Sequence, residues 1–158
     1  MPKIVDHEAH SRDLARRAAS YFSDHGYSGT SMRKIAAHLS VSKSALYHYF
    51  PTKEALFLAC TRQVIGAQTD EPPTGDTADL ATLTAAMRPG FGNEMALVFD
   101  YLRGRSAAEI ASDEAMQLAL ASYRAAVARC VPDDQVDQAL AQVLGQLLFE
   151  HLSGQAAP

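Results

Sequence analysis

Apolar residues recur along this chain at helical spacing, and no stretch alternates as a strand would. Leu14, Ala18 and Phe22 stand four apart with Ala15 and Ala19 beside them, which predicts a first helix from about His7 to about His25, stopped at Gly26. Ile35, Ala36 and Leu39 mark the inward side of a second helix, with Thr30 or Ser31 as its cap. A tight step at Ser40-Val41 leads to a third helix, capped by Ser42 and ended at Phe50 because Pro51 follows. Thr52 caps a fourth helix, with Glu54 in its first turn and Leu56, Phe57, Cys60 and Val64 as its apolar stripe. Residues 69–79 carry two prolines and a glycine and read as a polar linker. A fifth helix over about 80–87 breaks at Arg88-Pro89-Gly90, and Asn93 caps another that runs to about Arg103. Ser106 with Glu109 makes a capping box, 113–130 reads as one long helix, and Pro132-Asp133-Asp134 opens a last helix ending near Leu152. The expected fold is all-α: an N-terminal three-helix helix-turn-helix domain over 1–52, then a short C-terminal helical bundle over 53–158.

A chain of 158 residues, 47% hydrophobic and 20% charged, has the composition of a folded domain. No apolar run is long enough to cross a bilayer, and the first residues are polar, so a cytoplasmic protein with no membrane partner is expected. Cys60 and Cys130 lack a CxxC partner and read as reduced, buried thiols. The net charge of -4 conceals an asymmetry. Residues 1–65 hold nine Lys and Arg against five Asp and Glu, whereas 66–158 hold five against thirteen. A basic N-terminal part suits phosphate, although solvated helix faces give the same count.

The third helix sharpens that suggestion. On a helical wheel Ser42, Leu46, Tyr49 and Phe50 fall on one side, and Ser44, Tyr47 and His48 fall opposite, with Lys43 and Ala45 flanking. The first set is mostly apolar and packs inward. The second offers a cation, hydroxyls, a small residue and an imidazole, which suit phosphates and base edges. Tyr49 lies near the core side, so a core aromatic and a base contact are both open for it. A short helix, a tight turn and a second short helix form a helix-turn-helix, whose second helix enters the major groove.

The stretch from Gly26 to Leu56 resembles the TetR family of transcriptional regulators. The matching residues are Gly26, Tyr27, Thr30, Ser31, Ile35, Ala36, Val41, Ser42, Ser44, Leu46, Tyr47, Tyr49, Phe50, Thr52, Lys53, Glu54 and Leu56. Ser40 departs from the pattern, since the family usually has glycine in the turn. A serine there must adopt a left-handed conformation or shift the turn. The resemblance covers about the first 60 residues and implies a DNA-binding regulator, not an enzyme, with no cofactor. It implies phosphate contacts at Thr30, Lys43, Tyr47 and Lys53, base reading by Ser44, Ala45, His48 and Tyr49, and further DNA-face positions at Ser31 and Ser42. Arg16, Arg17, Arg33 and Lys34 are groove-side cations or merely solvated.

The same resemblance implies that the C-terminal helices dimerise and enclose a small-molecule effector. Met116, Leu120, Tyr123 and Val127 form one stripe, and Val136, Leu140, Val143 and Leu147 form another, widened by Leu144 and Leu148. These are the expected homodimer surface, with internal core as the other account of the same spacing. Met87, Phe91, Met95, Phe99 and Tyr101 surround the broken region 88–92 as cavity candidates, although such a cluster also fits plain core. Two other functions stay open. One is an architectural DNA binder without an effector. The other is a small metal enzyme using His7 and His10, for which no third ligand is in phase.

Overall fold

A computed structural model of the chain describes residues 6–69 and 79–155. The elements are α1 (His7–His25), α2 (Met32–Leu39), α3 (Lys43–Tyr49), α4 (Lys53–Thr69), α5 (Leu80–Met87), α6 (Phe91–Leu102), α7 (Ala107–Ser112), α8 (Glu114–Val127), a 3-10 turn (Asp133–Gln135) and α9 (Val136–Leu152). Among the described residues there is no strand, and the fold is all-α as expected. Most of the expected polar linker, residues 70–78, lies outside the described residues.

Local chemistry sets most helix ends. The Ser31 hydroxyl accepts from Lys34 N, Ser42 from Ala45 N and Thr52 from Ala55 N, so three successive helices begin on a side-chain cap. Ser106 and Glu109 form the expected capping box. Two ends differ from expectation. α6 starts at Phe91 because Gly90 takes φ 81°, so that Glu94 N bonds back to Gly90 O and Asn93 is already inside the helix. α8 stops at Val127, whose carbonyl accepts from both Cys130 N and Val131 N and so turns the chain early.

Three apolar clusters hold the helices together. The first joins Leu14, Ala18 and Phe22 of α1 with Ile35 and Leu39 of α2, Leu46 of α3 and Leu56, Phe57 and Cys60 of α4. Tyr101 of α6 and Ala115 of α8 complete it, so this core continues well past residue 52. The Cys60 thiol is buried and donates to Ala15 O at 3.2 Å, and burial pushes it up to about 12. Cys130 is free and only half-buried. The second cluster gathers Val127, Val136, Ala139 and Leu140, and the third Phe91, Val143 and Leu147.

This packing bears on the expected dimer surface. Val127, Val136, Leu140, Val143 and Leu147 are at most 9% exposed within one chain, so its own core already covers them. Met116 packs against the first cluster, Tyr123 against the second and Leu144 against the second and third. The Tyr123 hydroxyl also donates to Glu94. Of the ten residues only Leu120 and Leu148 are exposed, and Phe149 and Leu152 on α9 are more so. The reason is geometric: the stripes of α8 and α9 face each other and the helices α5 and α6.

Candidate nucleic-acid interface

α3 is only seven residues long, so its orientation depends on what it packs against. Leu46 is fully buried and Phe50, just past the helix, is 4% exposed. These anchors turn Lys43, Ser44, Tyr47 and His48 outward, all exposed, with Ala45 and Tyr49 half-buried at the margins. The outward set expected from the wheel is exposed, and so is Ser42, which the wheel placed on the inward side. Lys43 Nζ lies 5.6 Å from the Tyr47 ring centroid, which keeps cation and phenol together on the outer face.

The turn before α3 is tight. Ser40 takes φ 57° and ψ 38°, the left-handed region, and its N–H bonds to Ala37 O while Val41 N bonds to Ala36 O. Of the two resolutions open to a serine here, the chain adopts the strained one. Arg17 Nη2 donates to Leu39 O at 3.1 Å and so ties α1 to the same turn.

Two expected phosphate contacts are committed elsewhere. Thr30 is 4% exposed, and its hydroxyl donates to Gly26 O at 2.6 Å. Lys53 Nζ donates to Tyr27 O at 3.0 Å and Thr30 O at 3.1 Å, and sits 4.1 Å from the Tyr27 ring centroid. A cation on the carbonyls that end the α1–α2 turn is a structural brace, and it leaves one of three ammonium donors free. Ser31 and Ser42 are exposed, but their hydroxyls serve as caps. Of the flanking cations, Arg16 and Arg17 pair with Asp13, Lys34 Nζ donates to Gly29 O, and Arg33 is exposed with no ion pair among the described residues.

Behind this surface lies a polar network. The Tyr27 hydroxyl donates to Glu54 Oε1 at 2.9 Å, and burial, then this carboxylate, push the phenol well up. Glu54 is held below the usual carboxylate range, first by its own backbone N–H at the helix start and then by Tyr27. The Tyr101 ring stacks on Phe57 at 4.2 Å between centroids, and its hydroxyl donates to Asp113 Oδ2 at 2.6 Å. Arg105 lies 4.2 Å from the Tyr101 ring centroid.

The expected effector residues do not all converge. Phe91 is buried in the third cluster with Met87 and Met95 against it, Tyr101 belongs to the first cluster, and Phe99 points outward at 58% exposure. Two clefts lie elsewhere. One of about 410 Å³ is lined by Arg124, Asp133, Asp134 and Asp137 with apolar neighbours, and one of about 150 Å³ by Ser23, Gly26, Asn93, Ala96 and Leu97. None of the five candidates lines either cleft, and both helices flanking the break at 88–90 pack on α9.

His7 and His10 are drawn into contact with α3, which nothing in the sequence signals. The His7 ring lies 4.5 Å from Tyr49 and 5.6 Å from His48, and the His10 ring lies 5.3 Å from Tyr49. No group of three His, Cys, Asp or Glu among the described residues is placed to hold a metal ion.

A short helix, α3, seated on α1, α2 and α4 with a tight turn before it has the arrangement of a helix-turn-helix domain. Residues 11–60 match the family described as bacterial regulatory proteins, tetR family. The N-terminal part is 40% identical over 57 residues to the HTH-type transcriptional regulator RutR of Escherichia coli K12, covering 36% of this chain and 27% of RutR. It is 34% identical over 65 residues to the HTH-type transcriptional repressor AcnR of Corynebacterium diphtheriae, covering 40% of this chain and 34% of AcnR. The matched stretch thus spans only about a third or less of these relatives. Over 85% of this chain and 83% of the other, the fold resembles that of AibR, solved in complex with isovaleryl coenzyme A and operator DNA, at 25% identity and a TM-score of 0.52. Residues 11–60 of this chain are thus similar to the helix-turn-helix part of TetR-family regulators. No helix among the described residues is long and apolar enough to cross a membrane.

Proposed function

We propose that this chain is a transcriptional repressor that binds a palindromic DNA operator as a homodimer and releases it on binding a small-molecule effector. The observation that carries the proposal is the outward face of α3, where Lys43, Ser44, Tyr47 and His48 stand exposed over a buried Leu46. Lys43 and Tyr47 contact phosphates, and Ser44, Ala45 and His48 read base edges, with Ala45 against a thymine methyl. Tyr49 supports this face from its margin. Residues 1–52 read DNA, and the later helices carry the dimer contacts and the effector. Each chain presents one reading helix, so two copies read two half-sites about 34–36 Å, or a multiple of one turn, apart. AibR, the structural neighbour, was solved with operator DNA and isovaleryl coenzyme A, which supports both a DNA partner and an effector here. The test is selection of bound duplexes from a random pool by the purified chain, with its mass in solution measured by light scattering. An enriched inverted repeat and a dimeric mass are expected. A monomer bound to a single half-site defeats the proposal.

A second function is favoured by one observation. The five effector candidates are split between two cores and an exposed face, which suits an architectural DNA binder with no effector. The same selection separates the two, because such a protein enriches no defined site.

A further inference from the structure

Three of the chain's imidazoles stand close together where α1 meets the end of α3. His7 touches both Tyr49 and His48, His10 touches Tyr49, and the His48 and Tyr49 centroids are 5.4 Å apart. His7 and His48 are exposed and His10 is half-buried. His48 shares the outward face of α3 with Ser44 and Tyr47, so a duplex that reaches His48 also brings its phosphates to the first turn of α1.

We propose that His7 and His10 belong to the DNA interface, and that the imidazole cluster they form with His48 takes up protons on binding, so that the chain holds DNA more tightly at pH 6.0 than at pH 7.5 (values chosen to bracket the ordinary histidine range). This rests on the DNA-binding function proposed above.

Histidine is the side chain whose charge changes between about pH 5 and 8. Phosphates favour the charged form of a nearby imidazole, so DNA and protons bind cooperatively by reciprocity. The ring contacts of the cluster come from α1 and α3 alone among the described residues. On α1 the neighbouring charges are Asp6, Glu8 and Arg12, all exposed, and Asp6 Oδ1 is already occupied by Glu8 N and Ala9 N. On α3 the charged side chain is Lys43, one end of the helix away beside Tyr47. Tyr49 is the ring at the centre of the cluster.

The experiment measures affinity for a duplex that the full chain selects from a random pool, at both pH values and fixed ionic strength. The proteins are the natural chain, His7→Phe, and the double variant His7→Gln with His10→Gln. His7→Phe keeps an aromatic ring against Tyr49 and removes the proton site. At pH 6.0 the double variant is expected to bind about tenfold more weakly than the natural chain, with a much smaller deficit at pH 7.5, since each linked proton changes affinity by at most about tenfold per pH unit. His7→Phe should fall between them at pH 6.0. The slope of log affinity against log salt should steepen by about 1 in the natural chain at pH 6.0, and less in the double variant. Equal losses at both pH values would mean that the histidines only support α3, and would overturn the proposal. So would a pH response that both variants retain in full. If the natural chain selects and binds no duplex at either pH, the DNA-binding function itself falls, and this proposal with it.

Discussion

Ser28 and Asp100 are 72 residues apart and share two hydrogen bonds, from Ser28 N to Asp100 Oδ2 at 2.8 Å and from Ser28 Oγ to Oδ1 at 2.7 Å. One residue sits in the turn between α1 and α2, the other on α6. The approach is close: a Cβ on Gly26, already at φ 74°, would lie 3.0 Å from Asp100 Oδ2. The carboxylate is 16% exposed, and the Ser28 hydroxyl and N–H hold it below the usual carboxylate range. The second half of the chain thus grips the helix-turn-helix domain through one side chain, in addition to the shared core at Tyr101.

Asp100→Ala should cost about 1–2 kcal/mol, the range for hydrogen bonds to a partly exposed charged group. The pH dependence has a defined sign. Because the folded carboxyl titrates below its unfolded value of about 4, its contribution is complete above that value and is lost as pH falls through the folded one. The gap in melting temperature between the natural chain and Asp100→Asn should therefore be larger at pH 5 than at about pH 3. A constant gap would show that the charge of Asp100 is immaterial.

Ser40 is the non-glycine residue with positive φ among those described. Ser40→Gly should stabilise the chain by about 0.5–1 kcal/mol, the relief of left-handed strain less the added chain entropy of glycine. Ser40→Val should do the opposite. Urea denaturation of both variants checks the sign, and a loss on Ser40→Gly would mean the serine side chain compensates for its backbone.

Lys43 and Lys53 should separate in their effects. Lys43→Ala removes an exposed cation from α3 and should weaken DNA binding with little change in stability, flattening the salt slope by about 1 or less per half-site. Lys53→Ala leaves Tyr27 O and Thr30 O without their donor and should lower stability by about 1–3 kcal/mol. Thermal melts and salt titrations on both proteins decide it. If Lys53→Ala melts like the natural chain, Lys53 is not a brace.

The proposed dimer must use the apolar surface that remains after folding. Phe149 is 67% and Leu152 76% exposed, and Leu148 and Leu120 are exposed too. Replacing Phe149 and Leu152 with serine should yield monomers by light scattering without lowering the melting temperature of the isolated chain. A double variant that stays dimeric would move the interface to another face.

What the sequence determined by itself is local. The bounds of α1 and α5, the caps at Ser42, Thr52 and Ser106, and the inward anchors Leu46 and Phe50 all follow from residues within a few positions of one another. The outward face of α3 was legible for the same reason, since a seven-residue helix with two buried anchors has its opposite side fixed by the helical period. Only the tertiary structure decided what each apolar stripe meets. The spacing of Val136, Leu140, Val143 and Leu147 is the same whether the cover is α8 and α6 or a second copy, because periodicity records that a face is buried and not by what. Long-range polar pairs were invisible too. Whether Lys53 reaches phosphate or Thr30 O, whether His7 meets Tyr49, and whether Asp100 finds Ser28 depend on where the chain returns. That is set by the packing of whole helices, and no spacing within a helix encodes it.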